Sequence, residues 1–240
     1  MRLTRFKPVI VAVVLSVLSG GAVQALERSP VPQPRPFEIF IPDLRWDHTP
    51  KGKTWTKATM GFITSHGQRL TKTVPRDINE WCPGYPDQDT QGRAAFWAGL
   101  LSTLSYHEST WREAAAGGGG KWFGLTQIAP PTARWRKCRA RTAAELKNGV
   151  ANLSCAVRIM NITVPRDQVV SAGMKGVAAD WGPFHSSSKR EDMKRWLKRQ
   201  DFCKVVMRRS PIPLARPARL DARAVYHVPD AILLPASQAR

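Results

Sequence analysis

One carboxylate stands where the surrounding pattern asks for an apolar side chain. In the stretch LSTLSYHESTW, residues 101 to 111, Leu101, Leu104 and Trp111 lie seven before, four before and three after Glu108. A continuous helix turns about 100° per residue, so these side chains, with Trp97, fall within an arc of about 80° that includes Glu108. Apolar neighbours disfavour an ionised carboxyl and raise its pKa, and a carboxyl that keeps its proton near neutral pH can donate it to a leaving group. Glycoside cleavage most often needs such an acid, usually with a second carboxylate nearby. The competing account is a glutamate whose stem packs on the core while its head reaches water or a basic partner.

Other chemistries fit less well. "HEST" begins like a zinc-protease helix motif, but Trp111 occupies the place of the second histidine, and His48, His66, His185 and His227 are isolated. No serine stands in a GxSxG elbow. No metal and no cofactor are expected.

"ESTW", followed by "GLTQI" and "PPTA", resembles the soluble lytic transglycosylase and goose-type lysozyme family. The match runs from Phe96 to Ala133 and more loosely through "NLSCAVRIM" to "AADWGPF", with Thr126 in the usual methionine place. The resemblance implies a mainly α, lysozyme-like domain. It also implies cleavage of the β-1,4 bond between N-acetylmuramic acid and N-acetylglucosamine in peptidoglycan, with Glu108 as sole acid and base and a 1,6-anhydro sugar as product. Ser109 would help orient the site. Gly124, Leu125 and Gln127 would lie along the sugar groove, the glycine by letting backbone approach the ligand and Gln127 by pairing with an acetamido group or bracing the turn. Many members carry an Ala-Tyr-Asn-x-Gly segment, whereas "AADWGP" here puts Ala179 in the tyrosine's place and Asp180 in the asparagine's. Asp180 reopens a two-carboxylate hydrolase, in which it would hold a water; Glu113 is a weaker candidate. Trp111, Trp122 and Trp181 flank the site in sequence and are candidates to stack on sugar faces.

The elements that must position these groups carry local signals. The Glu108 helix is expected to start at an Asp89 or Thr90 cap and to run to about Ala116, where Gly117 to Gly120 stop it and form a rim over the groove. "TAAE" (Thr142, Glu145) and "SKRE" (Ser188, Glu191) have capping-box spacing. Val150, Leu153, Val157 and Met160 form a helical stripe, and Pro165 marks a further helix start. The peptide TVPRD occurs at Thr73 to Asp77 and at Thr163 to Asp167, read as a shared helix-start solution, with no duplicated unit around it.

At 240 residues and 42% hydrophobic, the chain suits one globular core with extensions. Residues 1 to 25 read as a secretory signal with three cations, an apolar run and a cleavage site near Ala25, so a periplasmic or secreted protein is expected. Residues 26–36 form a proline-rich linker, 37–80 an N-terminal extension with an amphipathic helix near Trp55, Phe62 and Ile63, 81–203 the lysozyme-like domain, and 204–240 a flexible basic tail. Export agrees with four cysteines lacking CxxC spacing. Two disulfides are expected, and Cys138 with Cys155 and Cys82 with Cys203 is the favoured pairing, since the second ties the start of the core to its end. The formal charge of +19 becomes +16 without the leader's three cations, which favours anionic partners such as nucleic acid, lipid surfaces or acidic wall polymers without choosing among them, anionic wall or envelope surfaces included. Peptidoglycan strands are the expected partner and a monomer the expected state, with no specific nucleic acid. The alternative is a noncatalytic lysozyme-like protein that holds glycan or nucleic acid through charge and tryptophans.

Overall fold

A computed structural model of the chain describes residues 40–205. The signal segment, the proline-rich linker and nearly all of the basic tail lie outside the described residues. The architecture is mainly helical: α1 (Gly52–Ser65), α2 (Gln68–Lys72), α3 (Ile78–Trp81), α4 (Thr90–Ser109), α5 (Pro130–Trp135), α6 (Ala143–Leu146), α7 (Gly149–Asp167) and α8 (Ser187–Lys198), with short 3₁₀ turns between several of them. Two strands, β1 (Ala116–Gly117) and β2 (Trp122–Phe123), pair antiparallel, with Ala116 opposite Phe123.

Helix α4 is the central element. Asp89 caps it by accepting the Gly92 N–H at 2.8 Å, and residues 94–105 are buried on every side of the helix. An amphipathic stripe is therefore not what defines it; a helix apolar all round is one that other elements enclose. Helix α1 packs on α4 and α7, and α8 packs on α4. Residues 40–80, set apart as an extension on the sequence, bring Trp46, Trp55, Ile63 and Leu70 into the same core as Trp97 and Met160. The helix expected near Trp55 is α1.

Several element ends differ from the sequence expectation. Helix α4 stops at Ser109 because Thr110 and Trp111 take left-handed backbone, with φ of 53° and 57°. Trp111 therefore leaves the helical stripe and instead donates its Nε1–H to Ser102 O. The "TAAE" capping box is formed, but α8 is capped by Ser186, not Ser188. Pro165 lies inside the last turns of α7 and starts no helix. The two TVPRD copies are likewise not a repeated helix start. The first precedes α3 and the second ends α7, and their aspartates grip one loop: Asp77 accepts the N–H groups of Val170, Ser171 and Ala172, while Asp167 accepts that of Gly176.

Two disulfides join Cys82 to Cys203 and Cys138 to Cys155, the pairing favoured on the sequence. The second ties the segment after α5 to α7 across a sequence separation of 17. Replacing Cys138 and Cys155 by alanine is expected to cost about 3 kcal/mol in the chain-entropy account of cross-links, read as a lower urea midpoint with an intact Cys82–Cys203 bond.

Candidate active site

Glu108 lies in the last turn of α4, where the helix leaves the core and opens onto a groove of about 500 Å³. His107, Gly117, Gly118, Trp122, Gln127, Asp180, Trp181 and Lys189 also line it. Burial pushes the Glu108 carboxyl up to about 7, against an opposing pull from Lys189. The negative end of the α4 dipole acts in the same direction as burial. No hydrogen bond or ion pair holds the Glu108 carboxyl among the described residues, so it faces the groove unengaged.

A raised pKa in the fold also has a consequence for stability. The unfolded chain gives up the Glu108 proton near pH 4.5, while the folded chain keeps it to about pH 7. Stability linked to this proton is complete below the lower value, falls between the two and stays diminished above. Replacing Glu108 by glutamine is thus expected to raise the unfolding free energy at pH 8 by about 1–3 kcal/mol and to leave it unchanged at about pH 4. Urea unfolding of the two proteins at both pH values checks this.

The turn after β2 is held against Glu108 by its neighbours. The Ser109 hydroxyl is 2.9 Å from Leu125 O, so the residue after the acid ties the helix end directly to "GLTQI". Ser109 is buried at 3% exposure and Leu125 at 0%; both are structural supports of the groove, and neither side chain is part of its wall. Gly124, expected to admit ligand, is required for another reason. Its φ is +84°, and a Cβ there would stand 2.1 Å from Leu146 O and 2.3 Å from Asn152 Nδ2. Asn152, fully buried on α7, is a residue that the sequence reading missed. Its Oδ1 accepts from both the backbone and the hydroxyl of Thr126, and its Nδ2 donates to Phe123 O and Leu146 O. Nothing in its local sequence marks it, since at about 100° per residue it lies well off the stripe of Val150, Leu153, Val157 and Met160.

Gln127, with φ of 51°, does reach the groove. Its Nε2 donates to Gly124 O at 2.8 Å, which braces the turn and leaves Oε1 without a protein partner among the described residues. Trp181 lines the groove although it is buried, its Nε1–H given to Thr126 O at 2.8 Å. Trp122 is 47% exposed and offers a broad indole. It packs over Gly118, where φ is +57° and a Cβ would come within 2.0 Å of the ring. The glycine run forms the hairpin rim of the groove, and Trp111 lies apart from it, in a cleft with Trp55 and Glu113.

The other carboxylates are engaged. Asp180 Oδ1 accepts from Arg136 at 3.2 Å, and its Oδ2 is closed off from solvent with no partner. Burial raises the Asp180 pKa, partly offset by Arg136. Glu113 pairs with Lys51 and accepts the Gly149 N–H, away from the groove. Burial lowers the His107 pKa, against the pull of Asp192, whose carboxylate lies 2.8 Å from the ring's Nε2. No group of histidines, cysteines and carboxylates suited to a metal occurs among the described residues.

Helices enclosing a central α4, a small hairpin and a groove at the exit of that helix make this a mainly helical fold of the lysozyme-like kind. The solved structures it resembles include three of DslA (Bd0314), one the wild-type protein and two of them glutamate-to-glutamine mutants. The identity is 24–25% and the TM-score 0.62–0.63, over 67–69% of this chain and 97–100% of DslA. That likeness is one of fold. No protein-family model matches the chain, and no curated protein matches its sequence.

Proposed function

We propose that the chain is a peptidoglycan lytic transglycosylase. The observation that carries this reading is Glu108, a carboxyl pushed up to about 7, unengaged by protein and facing a groove in which the other carboxylate is already tied to arginine. A retaining or inverting hydrolase uses a second carboxylate as nucleophile or water-activating base. Asp180 suits neither role, since one oxygen accepts from Arg136 and the other is closed off from solvent, where a water would have to sit. A lone acid suffices when the substrate supplies its own nucleophile.

The steps then balance without water. Glu108 donates its proton to the glycosidic oxygen as the bond from that oxygen to the muramic acid anomeric carbon breaks. The resulting carboxylate takes the proton of the same sugar's 6-hydroxyl as that oxygen bonds to the anomeric carbon. Glu108 ends as it began, and the product is a 1,6-anhydro sugar. An intramolecular nucleophile gains from its fixed proximity, and a pKa near the working pH suits a group that must both give and accept a proton. Trp122 and the free Oε1 of Gln127 are placed to stack on a sugar ring and to accept from an acetamido N–H. Action on the wall requires export, which the leader and the two disulfides support.

Digestion of purified peptidoglycan, with the fragments read by mass spectrometry, tests the reading. Anhydro-muropeptides are expected. Reducing-end muropeptides would assign a hydrolase and restore Asp180, and binding without any product would leave a noncatalytic glycan-binding protein.

A further inference from the structure

A second cavity, of about 420 Å³, opens between α1, the segment after α5, and α7, and shares no residue with the Glu108 groove. Its floor is apolar, made by Phe62 and the Cys138–Cys155 disulfide. Its rim carries Lys137, Arg139 and Arg158 together with His66, and no carboxylate lines it. None of the three cations forms an ion pair among the described residues. Arg158 is anchored by its Nε–H on Arg136 O at 2.6 Å, which fixes the guanidinium and leaves its terminal nitrogens without protein acceptors among the described residues. Lys137 sits at a left-handed turn with φ of 56°, its backbone N–H held by Arg134 O.

Three uncompensated cations around one opening raise a local positive potential that an anion relieves. A bare inorganic anion would answer the rim and leave the apolar floor in water. A purely apolar ligand would do the reverse. The lining calls for a molecule with carboxylates at its edge and small apolar groups at its centre, and a cavity of this size lies in the range of small-ligand sites.

We propose that this cavity holds the carboxylate-bearing stem peptide of a peptidoglycan strand, with Lys137, Arg139 and Arg158 on its carboxylates and Phe62 and the disulfide against its alanine methyls. The inference rests on the reading of the protein as a wall enzyme and adds a hold on the polymer apart from the place of cleavage. The probe is a fluorescent stem tripeptide of alanine, glutamate and diaminopimelate, titrated against the full protein by anisotropy. Binding is expected in the wild type and unchanged in Glu108→Gln. The double variant Lys137→Glu, Arg139→Glu changes two exposed side chains and is expected to bind about tenfold more weakly or worse, with an unaltered thermal midpoint. Absence of binding, binding indifferent to both reversals, or displacement by inorganic phosphate as effective as by unlabelled peptide would each overturn the inference. Peptidoglycan digestion assayed in parallel separates the two claims. Digestion without peptide binding removes this inference alone, whereas peptide binding without digestion supports it and removes the enzyme.

Discussion

Glu108→Gln is expected to lower the turnover of peptidoglycan by about 10²- to 10⁴-fold, the range that a positioned general acid and base contributes. Glutamine keeps the shape and burial of the side chain and can still donate a hydrogen bond, but it has no proton to transfer. The loss therefore isolates proton transfer from binding. Because the ionised carboxylate is disfavoured where it stands, the variant is expected to be at least as stable as the wild type near neutral pH, so unfolding cannot account for lost turnover. Steady-state rates on soluble glycan strands, with chain folding checked by circular dichroism, read the effect. Wild-type rates from Glu108→Gln would remove Glu108 from the mechanism.

Asn152→Ala is expected to cost about 3–5 kcal/mol of folding stability. This side chain satisfies four backbone and hydroxyl groups in a place without solvent, and each buried polar group left unpaired costs about 1–3 kcal/mol. Some are shared with other partners, since Phe123 O also accepts the Ile128 N–H, which keeps the total below the simple sum. The effect reaches the groove as well. Thr126, released from Asn152, is the residue whose carbonyl holds Trp181, and Gln127 follows it in the chain. Urea unfolding measures the first consequence, and a larger loss of substrate affinity than of turnover in the surviving folded protein measures the second.

The parts of the site legible in the sequence were those with a local cause. The Asp89 cap of α4 and the Thr142 and Glu145 capping box rest on contacts within a few residues, and the α7 stripe on helical periodicity alone. The anomaly of a carboxylate at the end of a buried helix was visible because its apolar neighbours are close in sequence. The end of α4 was not legible, since Thr110 and Trp111 take left-handed backbone although neither is glycine, and long-range packing of Trp111 on His48 and Ser102 selects it. Asn152 carried no local signal; only the fold brings Phe123, Thr126 and Leu146 around it. Gly124 was singled out for a backbone approach to ligand, but what approaches it is Leu146 and Asn152. The role of residues 40–80 depended on Trp46 and Trp55 meeting α4 and α7, contacts that no local pattern announces.

The absence of a tyrosine at Ala179 acquires a physical setting. Ala179 ends a 3₁₀ turn and is exposed, and the next residue, Asp180, is drawn to Arg136. Among the described residues, the groups around Glu108 without a side-chain partner are Lys189, Trp122 and the Gln127 oxygen. The burial of Glu108 itself, not a neighbouring hydroxyl, is what raises its pKa.

That claim has a direct measurement. Carbon-detected NMR titration of the Glu108 side-chain carboxyl, assigned by comparison with Glu108→Gln, gives its pKa in the folded protein. A midpoint near 7 is the result predicted by a buried, unengaged acid; a midpoint near the ordinary 4.5 would mean an ionised carboxylate at neutral pH and would contradict the account of Glu108 as the proton donor.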